Sequence, residues 1–377
     1  PIPASNDSGT YVNPYGCQMG PCNFCGFCSD YGCLNYSKAS PNANILPVLR
    51  GRKGFDLRTM AQVMKVNLTP DGKMATGVNY LDAQGRETEQ PADIVILAAF
   101  SLYNVHLMLL SGIGPAYDPV TKTGTVGKNY SYQNLNRVSL FFDETVHANQ
   151  FMGIGGGGAT FDDLNGNRND PTKTGFIGGG IIWARQPGGG PVRGIATAPG
   201  VPGWGSDWKK GAKDAMRHSF YFEVQGSCMS YDDAYLDLDP NYKDGFGRPL
   251  LRMTFDWHEN EIIASQYLVG KAQDMCQVLN PLAIKGDAKK AGSHYNINQY
   301  QSTHTVGGAI MGDNPKTSAL NKYLQSWDVP NVFAPGANAF PQNNGYNPTG
   351  MVGALAYWCA KAIREQYVKN PGPLVQA

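Results

Sequence analysis

His304, in Ser302-Thr303-His304-Thr305-Val306-Gly307-Gly308, and Asn347, in Gly345-Tyr346-Asn347-Pro348-Thr349, are two residue types suited to one reaction. Oxidising an alcohol removes a hydride from carbon and a proton from the attached oxygen. No side chain accepts a hydride, so the reaction needs a cofactor. The proton needs a base that titrates near neutrality, and histidine is the usual one. An amide beside it orients the hydroxyl without competing for the proton. Taken alone, His304 also reads as a core histidine satisfied by a backbone carbonyl.

A second constellation lies near the start. Cys17, Cys22, Cys25, Cys28 and Cys33 are five of the eight cysteines; Cys228, Cys276 and Cys359 are scattered. The Cys-x2-Cys-x2-Cys run suits an iron–sulfur cluster, which is held by thiolates. Gly26 and Gly32 favour convergence of the sulfurs, and Phe24, Phe27 and Tyr31 would shield them from water. Three other readings stay open. Structural zinc usually takes two separated pairs, and no second pair is near. Disulfides between adjacent Cys-x2-Cys units would be strained. The thiols could also be inert. Three thiolates suffice for a three-iron cluster, with Cys22, Cys25 and Cys28 favoured and Cys17 or Cys33 as substitutes.

The segment from His304 to Asn347 encloses Asn331-Val332-Phe333-Ala334-Pro335-Gly336-Ala337-Asn338-Ala339-Phe340-Pro341 and precedes an Ala-rich amphipathic run, Gly353 to Ile363. This order resembles the C-terminal part of the glucose-methanol-choline (GMC) family of flavin oxidoreductases. The run Asp93-Ile94-Val95-Ile96-Leu97-Ala98, a helix, and Ser111-Gly112-Ile113-Gly114-Pro115 also resemble that family, with Ala98-Ala99 standing where it has a Gly-Ala pair.

The resemblance implies an α/β chain (α+β overall) with an FAD-binding Rossmann-like portion and an antiparallel-sheet substrate domain. It implies His304 and Asn347 as the catalytic pair facing the flavin. Val63, Gly336, Ala337, Asn338, Asn347, Pro348, Thr349 and Met351 become expected FAD contacts, although Val63 reads equally as an ordinary strand core residue. The expected division is 1–131 for the FAD portion with its cysteine loop, 132–300 for the substrate domain, and 301–377 for the return carrying the pair.

Asn13-Pro14-Tyr15-Gly16, Gly20-Pro21-Cys22-Asn23-Phe24-Cys25-Gly26-Phe27-Cys28 and Asn35-Tyr36-Ser37-Lys38-Ala39-Ser40 are most similar to a subgroup of the family. These are the large subunits of bacterial membrane-bound sugar-acid dehydrogenases, of the gluconate and 2-ketogluconate type. The likeness implies FAD and a [3Fe-4S] iron–sulfur cluster, a sugar-acid or polyol substrate, and partner cytochrome c and small chaperone-like subunits. Quinone lies downstream, and the location is the periplasmic side of the inner membrane, peripheral through a partner. Two other functions remain: a cluster-free GMC oxidase or lyase, and a non-catalytic electron-transfer subunit.

The chain starts Pro1-Ile2-Pro3 and carries no Gly-x-Gly-x-x-Gly followed by a helix, the pattern that grips a dinucleotide pyrophosphate. Gly153 to Gly158 reads as a flexible loop. The expectation is therefore a sequence without its N-terminal third.

Composition narrows the classes. A net charge of +1 gives no electrostatic case for nucleic acid. No apolar run approaches the ~20 residues a membrane-spanning helix needs. The run Ile94 to Leu110, the longest, is broken by Ser101, Asn104 and His106.

Alternation and turn residues predict a hairpin over Leu57 to Gly85 with a turn at Thr69-Pro70-Asp71-Gly72-Lys73. Asp93 to Ala98 reads as a strand buried on both faces, and a helix follows to Leu110. Val138 to Phe142 and Ser219 to Val224 alternate as strands with one polar face, within an antiparallel sheet that roofs the site. Apolar spacing predicts a helix over Glu261 to Leu279. Trp183, Tyr221, Tyr231, Asn343, Asn344 and Tyr346 are polyol-binding candidates that read more readily as structural residues. His258, beside Asp256 and Glu259, is a weak metal candidate.

Overall fold

The computed structural model describes residues 11–28, 31–149, 151–153, 158–185, 196–299 and 303–376. A short strand pair, Tyr11–Val12 with Gln18–Met19, opens the described chain. The expected hairpin follows. Strand β1 (Gln62–Leu68) and strand β2 (Ala75–Leu81) pair antiparallel, with Val66 opposite Val78. Gly72 takes a φ of 70° in their turn, and Thr69 donates to Asp71 there. A second turn at Asp82, whose carboxylate accepts from the Gln84 and Arg86 N–H groups, leads to β3 (Glu87–Pro91). Asp side chains close turns in this way because they accept from N–H groups two residues on.

The apolar run 93–98 forms a shorter strand than expected, β4 (Val95–Ile96). Its hydrogen bonds nevertheless extend on both sides, from Val95 N to Asn331 O and from Leu97 N to Phe333 O. Val95 and Leu97 are buried, whereas Ile96 on the other face is 52% exposed, so the described residues cover one face only. Helix α1 (Ser101–Ser111) follows and stops at Gly112. That residue has a left-handed φ of 65°, and the Ile113 N–H reaches back to Met108 O. Glycine tolerates this conformation without a Cβ clash, which is why it ends helices.

The segment 134–286 builds the larger sheet from β5 (Asn134–Phe141), β6 (Thr160–Phe161), β7 (Gly180–Arg185), β8 (Ser219–Gly226) and, after two further elements, a last edge strand. Helix α2 (Gly205–His218) leads into β8. A separate hairpin, β9 (Tyr235–Lys243) with β10 (Pro249–Thr254), then packs on α1. Helix α3 (Glu259–Gln277) appears where the apolar spacing placed one. The last strand, β11 (Ala283–Gly286), completes an antiparallel sheet of order β11-β5-β8-β7-β6. One face of that sheet meets α3 through Val138, Leu140, Ile182, Phe222 and Val224 against Leu268, Val269, Ala272 and Cys276. Each such aliphatic burial stabilises by roughly 1.5–3 kcal/mol.

The chain then returns to the first core. Strand β12 (Val332–Phe333) lies parallel to β4. Helix α4 (Thr349–Ala362) buries Leu355, Cys359 and Ala362, one stripe at helical spacing. The core around β4 and β12 holds Val66, Val105, Met108, Ile113, Leu236, Leu320, Leu324 and Phe333. The hairpin β9–β10 contributes Leu236 here, so part of the segment expected in the substrate domain packs on the first core.

Candidate active site

The second face of the large sheet is polar, and register explains why. Gln225 on β8 lies opposite Leu135, and Glu223 opposite Arg137. Directly opposed residues share a face and alternate residues repeat it. Gln133, just before β5, is therefore on the face of Gln225 and Glu223, opposite the α3 side.

His304 comes to this face on a tightly strapped loop. Ser131 and Val306 exchange both backbone hydrogen bonds, at 2.9 and 3.0 Å. Gly307, with a φ of 79°, lies so close to Asn129 that a Cβ would meet its carbonyl oxygen at 2.0 Å. The His304 carbonyl accepts from Asn343 Nδ2 at 3.0 Å. Asn343 in turn exchanges backbone bonds with Cys228, just past the end of β8. Gly345 (φ 81°) presses against Ser227 with no room for a side chain, and this close approach carries Asn347 over the end of β8.

The result is one run of side-chain hydrogen bonds. His304 Nδ1 meets Gln133 Oε1 at 2.5 Å, Gln133 Nε2 donates to Gln225 Oε1 at 3.1 Å, and Gln225 Nε2 donates to Asn347 Oδ1 at 3.3 Å and to Glu223 Oε1 at 2.6 Å. Gln133 and Gln225 are fully buried; His304 is half-buried and Asn347 is exposed. Burial pushes the His304 pKa below the ordinary histidine value, with the negative charge of Glu223 opposing. A half-buried imidazole with a lowered pKa suits proton abstraction from a hydroxyl.

The sequence singled out His304 and Asn347, which this run links, but not Gln133, Gln225 or Glu223. The alternation within Ser219 to Gly226 was the available signal, since Glu223 and Gln225 are polar residues two apart in an apolar strand.

Three of the expected FAD contacts, Gly336, Ala337 and Asn338, lie at another feature. The loops after β4 and β12 leave the carboxyl ends of two parallel strands, where open α/β sheets bind ligands. They are clipped together: Ala99 N donates to Asn104 Oδ1 at 2.8 Å, Asn104 Nδ2 to Asn338 Oδ1 at 2.8 Å, and Asn338 Nδ2 to Ala334 O at 3.0 Å. Gly336, at φ 157°, has no room for a Cβ, which would lie 2.6 Å from Asn338 Oδ1. Phe100 holds a φ of 84°, a conformation rare without glycine and enriched at ligand sites. Thr349, Gly350 and Met351 begin α4 exposed, with its first N–H groups receiving no side-chain cap. This backbone-lined crevice fits a dinucleotide cofactor. Val63 packs against the first core, and its carbonyl accepts from Arg248 Nη1 at 2.9 Å.

The cysteines behave otherwise. Among the described residues, no three His, Cys, Asp or Glu side chains come together as a group able to hold a metal. Cys17, Cys22, Cys25, Cys28 and Cys33 therefore do not converge as their spacing led us to expect, and as placed they do not fit a cluster. Cys25 is exposed and bridges to Gly153, while the Cys22 sulfur accepts from Phe24 N at 3.4 Å. Burial of Cys33 favours its neutral thiol, but N–H groups of Lys38, Ser37 and Asn35 outweigh this and lower its pKa. Ser29 and Asp30, inside the same loop, lie outside the described residues, as do Gly155 to Gly157 of the glycine-rich loop.

The remaining candidates divide. Tyr231 donates to the fully buried Glu261 and stacks on His258 at 3.6 Å, and Asn343 holds the His304 loop, so these are structural. Tyr221, under Arg137 at 4.4 Å, and Trp183 lie on the face of Gln225. Asn344 caps the backbone of Tyr346. His258 bonds Asp233 at 3.0 Å and joins no metal-holding group among the described residues. His106, His218 and His294 are each occupied by a carbonyl or carboxylate oxygen.

Two GMC oxidoreductase family models match, over residues 2–134 and 230–356. The gluconate 2-dehydrogenase flavoprotein of Pantoea cypripedii is 58% identical over 376 residues, covering 100% of this chain and 61% of that protein. The 2-methyl-1,2-propanediol dehydrogenase of Mycolicibacterium austroafricanum is 28% identical over 317 residues, 83% of this chain and 55% of that one. The chain thus spans about three-fifths of the length of these relatives. Among solved structures, formate oxidase aligns over 82% of this chain and 60% of its own, with a TM-score of 0.54 at 15% identity. Pyridoxine 4-oxidase from Mesorbium loti aligns over 85% and 60%, also at 0.54, with 13% identity. At those identities the structures support the fold alone.

Proposed function

The chain belongs to the GMC oxidoreductase family, and from that premise we propose that it is the larger part of an FAD-dependent dehydrogenase acting on a CH–OH group of a sugar acid or polyol. Of the expected gluconate or 2-ketogluconate substrates, gluconate is supported by the name of the 58% identical relative. The observation that carries the reading is the buried amide run that ties His304 to Asn347.

His304 takes the hydroxyl proton at Nε2, since Nδ1 is engaged by Gln133. Asn347, exposed at the end of the run, holds the substrate oxygen. Bound FAD supplies the acceptor for the hydride, which no residue can be. Gly336, Ala337, Asn338, Asn347, Pro348, Thr349 and Met351 would hold it, with Val63 toward the adenine end. A half-buried base stays neutral to lower pH, ready to accept a proton.

The test is direct. His304→Ala should slow substrate-driven flavin reduction by roughly 10²–10⁴ while FAD remains bound. Asn347→Ala should lower kcat as well as kcat/KM, since its bond matters in the transition state. Unchanged single-turnover reduction in His304→Ala rejects the assignment.

A cytochrome c subunit, a small chaperone-like subunit and quinone downstream complete the proposal, at the periplasmic face of the membrane. They rest on the resemblance of the cysteine segment to sugar-acid dehydrogenases. No helix among the described residues is long and apolar enough to cross a membrane, which is compatible with attachment through a partner. The iron–sulfur cluster rests on cysteine spacing and on that same resemblance, and iron and sulfide analysis of the purified protein decides it; zinc, or no metal, rejects it.

A further inference from the structure

The amide run has a direction, and a carboxylate sets it. An amide offers oxygen on one side and NH2 on the other, so its orientation follows from its neighbours. A carboxylate only accepts. Glu223 Oε1, 2.6 Å from Gln225, therefore requires the Gln225 NH2. That turns Gln225 Oε1 to Gln133, which must answer with its own NH2 at 3.1 Å. Gln133 Oε1 is then left facing His304 Nδ1 at 2.5 Å, and that nitrogen must carry hydrogen. Neutral His304 is fixed as the Nδ1–H tautomer, with the lone pair on Nε2.

The same group acts on the other branch. The second Gln225 N–H points to Asn347 Oδ1 at 3.3 Å. Asn347 must then present its Nδ2 donor on its remaining, exposed side. A hydroxyl meeting this site finds an acceptor for its hydrogen at His304 and a donor for its oxygen at Asn347. Both polarities match an alcohol giving up a proton, and both trace to one carboxylate.

We infer that Glu223, acting through the buried Gln225 and Gln133, is the positioning residue that sets the His304 tautomer and the Asn347 amide orientation. The inference deepens the reading of His304 as base and rests on it. Glu223 and Gln225 are two residues apart on β8, and Gln133 is on the same sheet face, so the relay is built on paired strands. A site on rigid elements keeps its polarity through turnover. When His304 becomes protonated, the Nδ1–H bond to Gln133 persists and nothing in the run must turn. Fixed dipoles of this kind cost no reorganisation during reaction.

The experiment uses protein labelled with 15N at histidine and long-range 1H–15N spectra, with His304→Gln to assign the His304 signals. Wild type should show neutral His304 with hydrogen on Nδ1. Glu223→Gln can donate as well as accept, so the run loses its direction, and a mixed or Nε2–H signal should appear. Substrate-driven flavin reduction should fall about tenfold, with KM little changed. Glu223→Gln combined with Gln133→Glu moves the carboxylate next to the ring. It should restore the Nδ1–H signal, and it should shift the acidic limb of the kcat/KM profile upward by roughly 1–3 pH units, as a carboxylate beside imidazole does.

A structural role for Glu223 predicts no such rescue. An Nε2–H tautomer in wild type overturns the inference without any variant. An unaltered Nδ1–H signal in Glu223→Gln overturns it too. Should His304→Ala retain flavin reduction while the wild-type tautomer is Nδ1–H, the base assignment fails and the relay stands as a structural fact.

Discussion

Replacing Gly336 by alanine tests whether the crevice at the carboxyl ends of β4 and β12 is held by the asparagine clip. The new Cβ would sit 2.6 Å from Asn338 Oδ1 and 3.3 Å from Asn104 Nδ2, the two atoms that bond each other at 2.8 Å. Asn338 is fully buried and Asn104 nearly so. The Asn338 amide must move, straining its bond to Asn104 and the one it donates to Ala334 O. A buried hydrogen bond contributes about 0.5–1.5 kcal/mol, and a stranded buried partner costs about 1–3 kcal/mol. Two compromised bonds give a loss of about 2–4 kcal/mol, or a Tm roughly 3–5 °C lower for a chain of this size.

Gly353→Ala is the control. Gly353 lies within α4 with nothing within 4 Å of the Cβ position, so alanine there should raise stability by up to about 1 kcal/mol. Thermal denaturation of the flavin-loaded protein, together with its flavin-to-protein ratio, reads both effects. Gly336→Ala should also lose flavin, because the displaced loop is the one proposed to hold it. If Gly336→Ala melts with Gly353→Ala and keeps its flavin, the clip does not organise the crevice.

Two further outcomes follow from charge and burial. Burial holds the His304 pKa below the usual 6.5, with Glu223 opposing, and the base works only when neutral. The acidic limb of kcat/KM against pH should therefore fall below 6.5, and a limb above 6.5 contradicts the desolvated site. Lys289 is half-buried, its ammonium 4.4 Å over the Trp257 ring and donating to Asn136 Oδ1 at 3.0 Å, and desolvation lowers its pKa from 10.5 to about 8, with Asp287 opposing. Between those values the unfolded chain binds a proton the folded one does not, so stability rises with pH from about 8 to 10.5. Lys289→Met should flatten that rise by up to about 1.4 kcal/mol per pH unit, as read from denaturant unfolding at pH 8 and 10; equal slopes would show that the amine is not desolvated.

Sequence alone determined the pieces whose signals are local. Gly112 and Pro115 marked the end of α1, and Thr69 to Lys73 marked the first turn. The apolar spacing of α3 needed only the chain's own periodicity, since side chains three and four apart share a helix face. His304 and Asn347 stood out because their residue types are chemically suited and their order and spacing resemble the family's pattern. Tertiary structure decided what those residues touch. Gln133, Gln225 and Glu223 read as ordinary polar strand residues until the β5–β8 register put them on one face, and a shift by one residue would have turned them to the α3 side. Asn104 and Asn338, far apart in sequence, meet only because β4 and β12 run parallel. The cysteines show the converse. Their spacing is a strong local pattern, but convergence of sulfurs depends on backbone path, and in the described chain Phe24 and Gly26, on either side of Cys25, bond to the backbone of Gly153. Residue type and spacing state which chemistry is possible; long-range pairing, which no short window of sequence contains, decides which groups face each other and in which orientation.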